Sequence, residues 1–491
     1  MAEQIKLELT GITSYGDDVS RTTTSTKATN VFLDEAGYLR QRGGLNIIET
    51  TGVSLPTQKV DGMFYWQSKN LVMIVIGGSL YEMNDSNVIS LVGSGLETGT
   101  RASFAIARTS TGVEALVVAN GGDMYIYDPI NVTWNNVFTG DNDAPRNVKK
   151  IVFLDSYIIA LPTNSNKFYF SDVGNPESWS ALSFNEAEAR ADNIENIIVK
   201  GFYIYIFGEQ TVEIYYNDGV TPFVRLDGGL IETGTIAPFS VSIVEDKIYF
   251  LDSNRRIATL EGSTYNIVST GIDRFLQSLD LVTDAYSYPI IHAGRVFYAI
   301  TFPSADRTAW DGSTQTGITF VLDVKNGQFF EWALWNSGSS EYGPFPIFSQ
   351  AYAGRRRRQF LGRESLGQIF ELDLDVYQDN GGTLRSVWES GHLDFGTFNK
   401  KRINKMRWRM TSGDNSSVDT NIVFNYRVDG QSDYDATREQ SLTTGSSSLN
   451  QFHANINNLR IARSYQFKMV ESTNSPLCIG DITLIVDIMT N

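Results

Sequence analysis

Apolar residues recur at every second position along nearly the whole chain, and scarcely anywhere with the 3.6-residue spacing of a helix. Ile197 to Phe207 reads Ile-Ile-Val-Lys-Gly-Phe-Tyr-Ile-Tyr-Ile-Phe. That is two strands around a Lys-Gly turn, with Thr211 to Tyr216 as a third after the turn Gly208-Glu209-Gln210. The same unit of strand, tight turn, strand, turn and aromatic-rich strand returns along the chain. Copies fall at Asp61–Met83, Ala102–Asp128, Val148–Ser171, Ile194–Tyr216, Val241–Leu260, Ile290–Trp332 and Ile347–Leu372. A spacing of roughly 40 to 50 residues is that of propeller blades. One such sheet cannot bury both faces alone, whereas blades stacked around an axis bury them and leave only short edges. The expected fold is therefore all-β: a β-propeller of about seven blades, followed by a C-terminal antiparallel β-sandwich.

The sandwich is expected because the chain changes character near Asp379-Asn380-Gly381-Gly382, its best linker signal. Beyond it lie strand candidates at Lys405–Met410, Ile422–Val428, Tyr465–Val470 and Ile482–Ile488, separated by Gly-Ser-rich connections. The division predicted is an N-terminal arm over 1–55, a propeller over 56–380 and a sandwich over 381–491. The arm alternates at Ile5, Leu7 and Leu9, turns polar through Arg21–Thr26 and resumes at Val31-Phe32-Leu33. It contributes strands to the propeller or reaches a neighbour. The few helix candidates include Asn185–Ala191 and Ile272–Leu279.

Composition narrows the chemistry. Of 491 residues one is cysteine, Cys478, which excludes an internal disulfide and any cysteine-rich metal site. The three histidines, His292, His392 and His453, lie far apart and carry no ligand spacing. Leu71–Ile76 is the longest strongly apolar run, far below the roughly 20 residues of a membrane-spanning helix. With no apolar signal core at the N-terminus, the expectation is a chain without an integral membrane segment, made in a reducing cytoplasm. A net charge of −16 argues against general DNA binding.

No catalytic constellation emerges, and no catalytic, cofactor or metal residue is expected. The Gly-Gly pairs sit in hairpins, not in a phosphate loop. Paired acids of the glycosidase type have no defined candidate among 56 carboxylates. Ser171–Trp179 bears a loose likeness to the Asp-box turn of sialidases, with the aspartate differently spaced. The remaining signal is basic. Arg355, Arg356, Arg357 and Arg358 lie inside a hairpin of the last blade, and an extended run would point two to each face. Lys400, Lys401 and Arg402, followed by Lys405, Arg407 and Arg409, concentrate charge in an acidic chain. These clusters are either a solvated strand edge guarded by charge, a docking surface for an acidic partner, or contacts to DNA phosphates.

In several ordered segments the chain resembles the tail hub, or nozzle, proteins of short-tailed bacteriophages, also called packaged-DNA stabilisation or tail accessory proteins. The likeness runs through Gly37-Tyr38-Leu39-Arg40 with Gly44-Leu45, Gly77-Gly78-Ser79-Leu80-Tyr81, Ala107-Arg108-Thr109-Ser110 and Asn120-Gly121. It continues through Phe168–Asp172, Ile204–Tyr215, Leu459-Arg460-Ile461-Ala462-Arg463, Tyr465-Gln466-Phe467-Lys468 and Gly480-Asp481-Ile482. The resemblance implies a virion tail protein without enzymatic activity. It implies a homo-hexameric ring below the portal and the adaptor (head-to-tail connector) that continues the DNA channel and retains the packaged genome. That ring carries the tail needle or plug and the tailspikes or fibres, and double-stranded DNA passes through without sequence-specific binding. The alternatives are a propeller-type tail glycan hydrolase and a receptor-binding tail fibre module. Within the hub reading, the Lys400–Arg409 cluster is expected to face another subunit or the adaptor, and the DNA duct to be acidic.

Overall fold

In the computed structural model the chain is described throughout except at residues 1, 16–24, 188, 191, 221, 309–311, 412–420, 432–433, 442–450, 458, 474 and 490–491. Its middle folds into seven four-stranded antiparallel sheets in chain order. Blade 1 comprises Val60–Trp66, Leu71–Ile76, Ser79–Met83 and Val88–Ser94, with Thr51–Gly52 added in parallel to its outer edge. Blade 2 spans Ser103–Arg108 to Thr133–Asn136, blade 3 Val148–Leu154 to Asn175–Glu186, and blade 4 Ile194–Lys200 to Val224–Ile231. Blade 5 runs from Ser242–Val244 to Thr264–Ile267 and blade 6 from Tyr286–His292 to Gln328–Glu331. Blade 7 takes three strands, Ile347–Ala353, Arg358–Arg363 and Ile369–Asp373, from its own stretch of chain. Its fourth, Gly44–Ile47, comes from the N-terminal region and pairs Phe370 with Ile47 and Asp373 with Gly44. Ile347–Ala353 packs beside Val60–Trp66, so the last blade meets the first and the ring closes.

The strand chemistry follows from this arrangement. Leu71–Ile76 is Leu-Val-Met-Ile-Val-Ile, and Val72 to Ile76 are all fully buried. A strand covered on both faces has no reason to alternate. Gly77 and Gly78, both at positive φ (58° and 72°), close the two-residue turn between Ile76 and Ser79. Trp66, Met73, Val75, Leu116 and Val118 then fill the space between blades 1 and 2.

Two sheets form the sandwich. One contains Val31–Leu33, Leu39–Gln41, Cys478–Ile488, Lys401–Thr411 and Gln451–Asn457, with Ala2–Leu7 also paired to Cys478–Ile488. The other contains Ser25–Thr29, Ser386–Ser390, Tyr465–Glu471, Asn421–Val428 and Asp435–Ser441. Their inner faces meet in one apolar cluster, where Trp408 abuts Phe424 edge-on at 5.0 Å. Thr29 pairs in parallel with Glu331, which makes the second sheet continuous with blade 6.

Buried ion pairs pin this junction. Arg42 lies against Asp379 at 2.6 Å with both side chains almost wholly shielded from water, and it also donates to Asn30 Oδ1 and the Ala333 carbonyl. Arg307 meets Glu331 at 2.7 Å, and Thr29 Oγ1 donates to the same carboxylate. Two expectations are corrected here and a third is met. The Asp379–Gly382 segment is no free linker: Gln378–Asp379 and Gly382–Thr383 form a tight hairpin held by Arg42. Among the described residues of Asn185–Ala191 there is no helix, because Asn185 and Glu186 extend the outer strand of blade 3 opposite Phe168 and Lys167; residues 188 and 191 lie outside the described residues. The helix expected at Ile272–Leu279 is present as Asp273–Ser278. Of the polar stretch Arg21–Thr26, residues 21–24 lie outside the described residues.

Candidate functional site

The inner strands of all seven blades surround a cavity of about 440 Å3 on the propeller axis. Phe64, Phe104, Phe153 and Phe239 supply apolar wall, with the Phe64 and Phe104 rings stacked at 5.5 Å. Ser103, Asn196, Ser242, Ser349 and Gln350 supply polar groups. Its charged lining is Arg101 and Lys150, and no carboxylate lines it among the described residues. Arg101 precedes the inner strand of blade 2. Its guanidinium donates to the Phe239 carbonyl at 3.1 Å and the Ser287 carbonyl at 2.6 Å, and lies over the Phe348 ring. Lys150 stands where the register of the blade 3 inner strand shifts. Enclosure lowers both: Arg101 to about 10, and Lys150 to about 8, the latter helped down by the charge of Arg101. Lys149 and Glu195 pair at 3.7 Å in an adjoining recess.

The basic residues expected at an interface divide into two groups. In the arginine run, Gly354 to Arg357 form a turn, with Arg357 at φ 51°, so the extended alternation does not occur. Arg355 and Arg357 are exposed. Arg356 reaches across the closing seam, donating to Asn84 O at 2.8 Å and Asn70 Oδ1 at 3.2 Å in blade 1. Arg358 pairs with Glu371 at 2.9 Å within blade 7. In the second cluster, Ile403, Met406, Trp408 and Met410 point inward while Arg402, Arg407 and Arg409 point out, with Lys405 half-buried and Lys400 exposed. Lys401 is the exception: it is fully buried and its ammonium donates to the Thr397 and Arg463 carbonyls. It offers no surface charge, because the chain turns inward there to pair with Ala462. Across the sheet, Asp481 takes up Lys6 and, at 3.7 Å, Arg409. Arg402 and Arg407 form no ion pair among the described residues.

The remaining candidates are structural. His292 is buried, accepts from the Gly43 amide at 3.0 Å and is pushed down to about 3 by burial and the nearby Arg42, so it stays neutral. In the Asp-box-like turn, Ser178 donates to Asp172 at 2.7 Å, and Trp179 is buried in the core between blades 2 and 3. Among the described residues no group of three His, Cys, Asp or Glu side chains could hold a metal, and no helix is long and apolar enough to cross a membrane. Sequence reading missed Arg101 and Lys150. Nothing in the sequence marks them, since only ring closure brings positions 101 and 150 to one axis.

Residues 24–316, well over half of the chain, match the phage-stabilisation family described as bacteriophage P22 Gp10, beta-propeller. The chain belongs to this family. It is thus a structural, genome-stabilising component of a phage tail. No curated protein matches it. Many solved structures share a general likeness. They include the N-terminal domain of Nup159 (10% identity, TM-score 0.37, covering 70% of this chain and 97% of that one). PorZ of Porphyromonas gingivalis matches at 12% identity and TM-score 0.37, over 71% of this chain and 43% of that one. Hsv2 of Kluyveromyces lactis matches at 9% identity and TM-score 0.29, over 52% and 69%. At such scores these likenesses carry no argument about this member of the phage family.

Proposed function

We propose that the chain is the subunit of a hexameric tail hub, seated below the portal and adaptor. In this reading it continues the DNA channel and anchors the tail needle or plug and the spikes or fibres. The observation that carries the proposal is the family match over 24–316, joined to a build suited to bearing load. We divide the molecule into a propeller (44–47 and 60–373) and a sandwich made from the N-terminal strands and residues 386–488. Shared sheet and buried ion pairs couple the two. A six-fold ring needs a head-to-tail interface that closes on itself, and stiff blocks fix its angle. Six copies at −16 each carry about −96 formal charges, so a duct lined by them repels phosphate and lets DNA slide.

For the interface, the outward row of Arg402, Lys405, Arg407 and Arg409 with Lys400 suits an acidic face of the adaptor or of the next subunit. Arg355 and Arg357 form a second, smaller site. Lys401, Arg356 and Arg358 are committed inside the subunit and take no part. A hydrolase would need convergent carboxylates, and the axial cavity is lined by none among the described residues.

Electron microscopy of intact particles tests the reading: this chain should occupy a ring of six below the adaptor. A trimeric location at a fibre tip would overturn it. Arg402→Glu with Arg407→Glu should impair ring or adaptor assembly at physiological salt while the isolated chain keeps its stability; normal assembly would remove this face from the interface.

A further inference from the structure

We propose that the propeller cavity is a binding site for a small phosphate monoester or inorganic phosphate, held between Arg101 and Lys150. Two cations line one partly open cavity, close enough for Arg101 to loosen the proton of Lys150. No carboxylate lines that space among the described residues, and neither cation belongs to an ion pair there. Like charges gathered in a partly shielded cavity are unfavourable unless an anion joins them. Arg101 is held by two backbone carbonyls and the Phe348 ring, so its position does not depend on a carboxylate.

Shape and hydrogen bonding narrow the class. A volume of about 440 Å3 lies in the range of small-molecule sites. The side chain of Asn196 lines the cavity, is 6% exposed, and donates its amide to the Pro238 carbonyl. Its Oδ1 is buried without a partner. That oxygen calls for a donor, which a monoprotonated phosphate or a ligand hydroxyl supplies and a sulfate dianion does not. In the same lining, the stacked Phe64 and Phe104 rings give an apolar surface against which a monoester can lay its organic part.

The assignment is independent of the tail-hub reading and can be tested on the purified full chain. Isothermal titration should detect inorganic phosphate and adenosine monophosphate, with sulfate at least tenfold weaker. If the nucleotide binds about tenfold tighter than phosphate, the apolar surface is occupied; if the two are equal, the free anion is the ligand. Lys150→Met and Arg101→Met should each weaken binding at least tenfold. Lys150→Met should also melt no lower than the parent without ligand, which separates lost binding from lost folding. Absence of heat with both phosphate compounds, sulfate binding as tight as phosphate, or binding unchanged in both variants would overturn the proposal.

Discussion

Replacing Glu471 with Gln should stabilise the sandwich in a way that grows with pH. Glu471 ends the strand Tyr465–Glu471 and is fully buried. Gln41 Nε2 donates to its Oε2 at 2.9 Å, and the Thr473 amide donates to Oε1 at 2.6 Å. No cation pairs with it among the described residues. Burial therefore dominates and raises its pKa from 4.5 to about 8, against those hydrogen bonds. The folded chain holds a proton here that the unfolded chain has released, so stability falls as pH rises from 4.5 towards 8 and levels off above. At about 1.4 kcal/mol for each unit, the ionised form costs folding ~5 kcal/mol well above pH 8, of which about 1 is already present at pH 5. Glutamine keeps an acceptor for Thr473 and does not ionise. Urea unfolding followed by tryptophan fluorescence should show the advantage of Glu471→Gln widening by about 4 kcal/mol between pH 5 and pH 8.5. A gap that stays constant across that range would refute the reasoning, since it would mean that the carboxylate enters the fold already ionised.

Other substitutions test the joints. Arg42→Met strands Asp379 at the junction and should cost about 3–5 kcal/mol in urea unfolding, with much of the loss recovered in the double variant with Asp379→Leu. Gly44→Val would drive a side chain into the Gln378 carbonyl, detach the closing strand of blade 7 and expose that edge to limited proteolysis. Arg356→Ala should lose about 1–2 kcal/mol at the seam between blades 7 and 1, while the exposed Arg355→Ala should leave the melting temperature unchanged. Lys150→Met should be more stable than the parent at pH 7. Its margin should shrink as pH rises from about 8, because the parent's partly shielded ammonium then gives up the proton that opposes folding.

Alternation and turn chemistry are local properties, and the sequence alone determined what depends on them: strand identity, the repeat of seven blades and the strand-rich tail. Ile194–Lys200 and Tyr203–Gly208 lie where Ile197–Phe207 predicted two strands, with the turn at Gly201-Phe202 one residue later than the Lys-Gly reading, because a glycine at positive φ between apolar runs favours a tight turn. From Met406 to Met410 the sandwich strand likewise alternates inward and outward as its residues read. What only the tertiary structure decided are contacts between residues hundreds of positions apart. No local pattern couples Gly44–Ile47 to Ile369–Asp373, or Arg42 to Asp379. Four adjacent arginines look alike in sequence, yet one crosses to blade 1, one pairs with Glu371 and two stay in water, because a turn aims each differently. Arg101 and Lys150 meet only because seven sheets close into a ring, and closure is a property of the whole chain that no short stretch carries.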